Sequence, residues 1–101
     1  MISRYWSCRI KPGEEDNYVS YLKEEILPHL STLEGFCGAS IRRRDYGRFP
    51  EFLFISEWTS KEAIKAFAGE DIHLAVISEK AQKMMRSFDM EVRHYERIHS
   101  A

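Results

Sequence analysis

The sequence predicts an α+β fold: a four-stranded antiparallel sheet with two helical segments on one face. Three observations lead there. First, FLFISEWTSKEAIKAFAGEDIH, residues 52–73, passes from an apolar run into a capped amphipathic stretch, which is a strand entering a helix. Second, a helix-period stretch before it is flanked by strand-like runs, and a short turn with Gly47 and Pro50 makes the second and third strands a hairpin. Third, a further helical stretch and a last alternating run follow it. The resulting order, β-α-β-β-α-β, is ferredoxin-like and takes up residues 1–101 as one domain.

Each element has a local cause. ISRYWSCRI, residues 2–10, alternates and carries Ile, Tyr and Trp, so it reads as strand one. KPGEED follows as a turn, and Glu14, Glu15 and Asp16 place negative charge where a helix N-terminus favours it. Helix one runs to about residue 33 with Tyr18, Leu22, Ile26, Leu30 and Leu33 as its buried stripe. Pro28 interrupts it by removing the hydrogen bond to the Glu24 carbonyl, which predicts a kink or a break. Gly35 stops the helix, and strand two spans 36 to about 44. EFLFISEW, residues 51–58, is strand three. TSKE reads as a capping box from Thr59 to Glu62, opening helix two, with Ala63, Ile64 and Phe67 inward and Gly69 at its end. EDIH is a corner. A further helix is expected over 76–87, with Val76, Ala81, Met84 and Met85 inward, and DMEVRHYERI, residues 89–98, is strand four.

Bulk composition narrows the function classes. The chain has 101 residues, 44% hydrophobic and 31% charged, and buries roughly two-thirds of its unfolded surface. That supports one core and little material for a deep private pocket. A net charge of −1 provides no global field for nucleic acid or a membrane surface. The apolar run at 52–55 is far too short to span a bilayer, and the N-terminus shows no signal-peptide apolar region. Cys8 and Cys37 lack CxxC spacing and read as reduced, buried thiols of a cytoplasmic protein. Four scattered His without paired spacing argue against a dedicated metal site. Arg42, Arg43, Arg44 and Arg48 beside Tyr46 read as a charged edge strand and turn that resist edge-to-edge pairing, rather than as a nucleic-acid patch.

Strand three is apolar on both faces: Phe52 and Phe54 point one way, Leu53 and Ile55 the other. Two helical segments cover only one face of a sheet. The expected cover for the other is a second copy of the chain, a homodimer through the sheet face.

The element order, LEGF entering strand two and EWTSKEAIKAF leaving strand three resemble the antibiotic biosynthesis monooxygenase family of dimeric α+β barrels over nearly the whole chain. The resemblance implies a cavity between sheet and helices in each protomer, and cofactor-independent oxidation of a flat aromatic or quinol-like molecule. Some members degrade haem, using an Asn on strand one, a Trp in the helix after strand three and a His further along as iron ligand. Matching by PG, LEGF and the strand-three Trp places Trp6, Phe67 and Ile77 there, so this chain departs at all three. His73 lies one helical turn before Ile77. The expectation is therefore no cofactor and no metal.

Alternation puts Ile2, Arg4, Trp6, Cys8 and Ile10 on one face of strand one, and Met90, Val92, His94, Glu96 and Ile98 on one face of strand four. These more apolar faces look toward the helices. As antiparallel neighbours they place Trp6 near His94 and Arg4 near Glu96. The catalytic candidates are His94, as a neutral imidazole accepting a proton from an acidic phenol or enol, and Arg4, stabilising the resulting oxyanion. Trp6, Phe54, Trp58 and Phe67 are candidates for stacking a flat substrate, and His73 sits at a corner that can act as a lid. The competing readings are an Arg4–Glu96 ion pair, a His94 satisfied within the fold, a Trp58 that plugs the core, and a binding or interaction dimer without catalysis.

Overall fold

The structure, a computed structural model, describes residues 1–45 and 47–101; Tyr46 lies outside the described residues. The sheet is built on β1, Ile2–Ile10. Along one edge β1 pairs antiparallel with β3, Pro50–Trp58, over Ile2 to Arg9, and β3 pairs in turn with β2, Phe36–Asp45, through the expected hairpin. Arginine-rich β2 is the outer strand, and Arg43 and Arg44 pair with Asp45 and Glu51.

The other edge of β1 departs from the expected plan. Instead of one strand over 89–98, two short strands share it: Met85–Phe88 (β4) pairs with Cys8 to Ile10, and Arg93–Glu96 (β5) pairs with Ile2 to Tyr5. The sheet thus has five strands in four positions. Between β4 and β5 the backbone leaves β1 and bonds to the segment that crosses from the second helix. The Val92 N–H donates to the His73 carbonyl, the Ala75 N–H donates to the Met90 carbonyl, and Leu74 bridges Glu91.

The helix expected over 76–87 shrinks to one turn for the same reason. Residues 74–78 form an extended strap, α4 covers only Glu79–Gln82, and the chain enters β4 at Met85. Ser78 caps that turn by accepting from the Ala81 N–H. The burial of Ala81, Met84 and Met85, which imitates helical spacing, comes from one turn followed directly by a strand.

The first helix begins at Glu15, with α1 over Glu15–Tyr21, a π turn at Leu22–Ile26 and α2 over Leu27–Leu30. The interruption expected at Pro28 is this wider turn. The Leu27 N–H reaches back five residues to the Leu22 carbonyl, so the ladder changes register just before the residue that has no N–H to give. The second helix, α3, runs over Lys61–Ala68 and ends at Gly69. Its cap is Ser60, which accepts from the Ala63 N–H, and not Thr59. The Thr59 amide instead donates to the Gly35 carbonyl, which pulls Thr59 out of the cap position.

Two apolar clusters fill the space between sheet and helices. One gathers Cys8, Ile10, Tyr18, Phe52 and Met85; the other gathers Leu30, Trp58, Ile64 and Ile72. Cys37, expected inside, is exposed, and both cysteines are free. On the outer face Ile55 is only 7% exposed within a single chain, between cross-strand neighbours Tyr5 and Ser40, while Leu53 is half-buried. Tyr5 also meets Tyr95 edge to face at 5.3 Å. One copy therefore shields Ile55 by itself, against the expectation drawn from strand three.

Gly35 marks where helix and hairpin touch. It holds φ +88°, and a Cβ there falls 2.5 Å from the Ala63 Cβ and 2.7 Å from the Thr59 Oγ1. Gly35→Ala is expected to cost about 2 kcal/mol or more, from the left-handed backbone and the overlap with α3 together. Urea unfolding of the variant checks this, and an unchanged midpoint contradicts it.

Candidate functional site

A cavity opens between the sheet and the first helix, and every layer of the fold contributes to it. The sheet supplies Arg4, Trp6, Phe54, Ser56 and Met85. The long helix supplies Tyr18, Tyr21, Leu22 and Ile26, the last two from the π turn. The strap closes the third side with Ala75, Val76 and Ile77, and Phe67 of α3 stands at the end. Strand alternation puts Arg4, Trp6, Phe54 and Ser56 on one face, and the register sets Trp6 beside Phe54 and Arg4 beside Ser56. The cavity volume is about 50 Å³, enough for a few waters and far below the roughly 300–1,000 Å³ of ordinary ligand pockets.

Among the described residues Arg4 is the only charged group in the wall. It is 5% exposed, and its guanidinium ties three segments together. Nη1 donates to the Ile72 carbonyl and to His94 Nε2 at 2.9 Å, and Nη2 donates to the Leu74 carbonyl at 3.2 Å. Its carbon lies 5.9 Å from the Phe67 ring centroid. Burial lowers its pKa to about 10, which still leaves it charged at neutral pH.

A guanidinium has no lone pair to offer, so His94 Nε2 must accept. That places the imidazole proton on Nδ1, which is buried and has no partner. His94 is pushed down to about 4, first by burial, then by Arg4, His73 and Lys61. The His73 ring meets it edge to face at 5.4 Å.

The placement of the candidates follows. Arg4, Trp6, Phe54 and Phe67 share the cavity wall. Trp6 also fixes the turn after β4, its indole N–H donating to the Asp89 carbonyl at 2.6 Å. His94 stands behind Arg4, outside the wall. Trp58 is fully buried, stacks on Phe67 at 6.4 Å and gives its indole N–H to Ser56 Oγ at 2.9 Å, so it plugs the core and stands apart from the wall. His73 is exposed and its side chain is outside the wall. The expected neighbours also shift by two residues: β5 sets His94 opposite Arg4 and Glu96 opposite Ile2, so there is no Arg4–Glu96 pair and Trp6 is not opposite His94. A two-residue slip keeps every side chain on its face, which is why the faces were legible and the partners were not.

Several wall residues had no signal as site residues. Tyr18, Leu22 and Ile26 read as a helix stripe, and Tyr21 and Ser56 carried no reading of their own. Of the strap's wall residues, Val76 and Ile77 read as helix. Tyr21 Oη meets Ser78 Oγ at 2.8 Å, which pins one end of the strap to the helix. Burial pushes the Tyr18 hydroxyl well above its ordinary range and the Cys8 thiol up to about 12, so both hold their protons.

The sequence pattern of the antibiotic biosynthesis monooxygenases matches residues 1–79. The chain belongs to this family. No curated protein matches it. Solved structures similar to it include an antibiotic biosynthesis monooxygenase family protein of Bacillus cereus, with TM-score 0.66 and 20% identity over 99% of this chain and 93% of the other. A MhuD mutant with two manganese protoporphyrin IX molecules bound per active site gives TM-score 0.71 and 17% identity over 100% and 98%. A monooxygenase from the ActVA-Orf6 gene of Streptomyces coelicolor, in complex with nanaomycin D, gives 0.68 and 12% over 99% and 89%. At these identities the likeness is one of fold, and it confirms the ferredoxin-like α+β plan of the family. Among the described residues the wall carries no imidazole or thiolate, and Ile77 offers no ligand atom. Among the described residues no helix is long and apolar enough to cross a membrane.

The depressed His94 pKa has a stability consequence. Above its ordinary 6.5 neither state binds the proton; between 6.5 and about 4 the unfolded chain binds it and the native chain does not. Stability therefore falls as pH drops through that window. His94→Gln keeps an acceptor for Arg4 and removes the titration, so its melting temperature is expected to fall less than the wild type's between pH 6.5 and 4.5. Parallel melting curves contradict this.

Proposed function

We propose that this chain is a cofactor-independent monooxygenase-type protein of its family, acting on a flat aromatic or quinol-like molecule held in the helix–sheet cavity. The observation that carries the reading is the cavity itself: an apolar, aromatic-walled slot with one buried cation in its wall. The ring-shaped ligands named for the Streptomyces coelicolor structure and for MhuD support it.

In this reading Trp6, Phe54 and Phe67 hold the ring. Arg4 faces the oxygen and stabilises its negative charge in a water-poor setting. His94 acts through Arg4. Its Nε2 lone pair is already engaged, and its low pKa makes it a weak base at neutral pH, so it positions the guanidinium rather than receiving the substrate's proton. The substrate anion then gives one electron to dioxygen, as family membership implies, the two radicals join as a peroxide at a ring carbon, and loss of water turns that carbon's C–H into C=O. One oxygen atom stays in the substrate, and the substrate itself supplies every electron and both hydrogens of the water. A ring enters by displacing the strap, whose Leu74 and Val76 are exposed at its surface.

One observation favours a second reading, a binding protein without catalysis: among the described residues no wall group stands ready to take a proton. Oxygen uptake across a panel of phenols and quinols separates the two. For any compound consumed, Arg4→Met is expected to lower kcat about a hundredfold. His94→Ala should give a smaller loss and leave the acid limb of the pH–rate profile in place. Loss of that limb returns the base role to His94. Tight binding of the panel with no uptake by the wild type selects the binding protein.

The same reading includes a homodimer through the outer sheet face, where Tyr5, Leu53 and Tyr95 lie together and Tyr95 is 52% exposed. Sedimentation of the wild type is expected to give a dimer at micromolar concentration, and Leu53→Glu a folded monomer. A wild-type monomer at high concentration removes the dimer.

A further inference from the structure

We propose that the cavity's ligand is a planar monoanion whose charged oxygen is the counter-ion Arg4 lacks within its own chain. This rests on the cavity being a small-molecule site and narrows the chemistry of what enters it.

Three independent features converge on an anion. The first is the electrostatic state of Arg4. Its partners are two backbone carbonyls and one neutral imidazole nitrogen, and among the described residues no carboxylate pairs with it. A buried charge ordinarily has an opposite charge as partner, because desolvation without one is costly. The neighbourhood adds to the excess: Lys61 acts on His94 with the same sign as Arg4. Three of the five guanidinium N–H groups have protein acceptors, so two remain to donate to an anionic oxygen.

The second feature is the absence of a base. Among the described residues the wall holds no carboxylate and no imidazole, and burial keeps the Tyr18 hydroxyl protonated. Nothing in the wall draws a proton from a neutral ligand, so the negative charge comes in with the ligand.

The third feature is shape. Arg4 lies at the Phe67 end of a slot continued by Phe54 and Trp6. A charge conjugated to, or carried on, a flat ring fits that order: oxygen on the guanidinium, ring among the aromatics. A carboxylate offers two oxygens to the planar fork, and the enolate of a hydroxyquinone offers an oxygen beside a carbonyl, so both present the same paired-acceptor chemistry.

Calorimetric titration of the wild-type protein with two matched pairs tests this. One pair is 2-naphthoate against 2-naphthamide; the other is 2-hydroxy-1,4-naphthoquinone, an enolate at neutral pH, against 2-methoxy-1,4-naphthoquinone. At least one anion is expected to bind about tenfold or more tightly than its neutral twin. Preference in the first pair alone points to a ring acid, and in the second alone to an enol. Arg4→Lys should keep part of the preference and Arg4→Met should remove it, with circular dichroism showing each variant folded. If Arg4→Met fails to fold, the wild-type pairs and Arg4→Lys still decide. Equal affinities within both pairs overturn the inference and leave the small-molecule site standing; no binding of any of the four overturns both.

Discussion

The architecture depends on how the second edge of β1 is shared. A single long strand there would complete an ordinary four-stranded sheet and leave residues 74–78 with nothing to bond. Instead β4 and β5 take the two ends of β1, and the backbone between them turns aside to pair with the strap. Every carbonyl and amide diverted from β1 in this way needs another partner, and the strap provides it. The cavity exists because the strap is held off the sheet at that gap.

Arg4 occupies the same junction from the side-chain direction. It sits on β1, reaches the carbonyl of Ile72 in the turn before the strap and that of Leu74 at its start, and meets His94 on β5. Backbone pairing and side-chain pairing thus hold the same three segments. This ties the chemistry of the site to its mechanics: the one cation in the wall also fastens the wall segment that must move for a ring to enter. A ligand anion that engages the guanidinium changes the electrostatics of that fastening at the moment of binding.

The helix side shows a comparable economy. The π turn that accommodates Pro28 also carries Leu22 and Ile26 into the wall, so a backbone irregularity with a local cause shapes the site. On the opposite sheet face, the burial of Ile55 inside one chain shows that cross-strand neighbours shield an apolar strand more than face counting suggests.

What the sequence determined by itself was the element order, the faces of the strands and the family. These depend on period and composition, which act over a few residues: Arg4, Trp6 and Phe54 were assigned to the helix side by alternation alone, and they share the wall. Tertiary structure decided the register and the division of the last strand, because the first is set by pairings with β1 more than 60 positions away and the second also by pairings with the strap, which no local period encodes. Helical spacing at Ala81, Met84 and Met85 is equally compatible with one turn followed by a strand, so local pattern could not separate the two. The same distance hid the role of His94. Its face was readable from sequence, but the lone pair it gives to Arg4, and hence its lack of basicity, follows from a register two residues away from the simplest one.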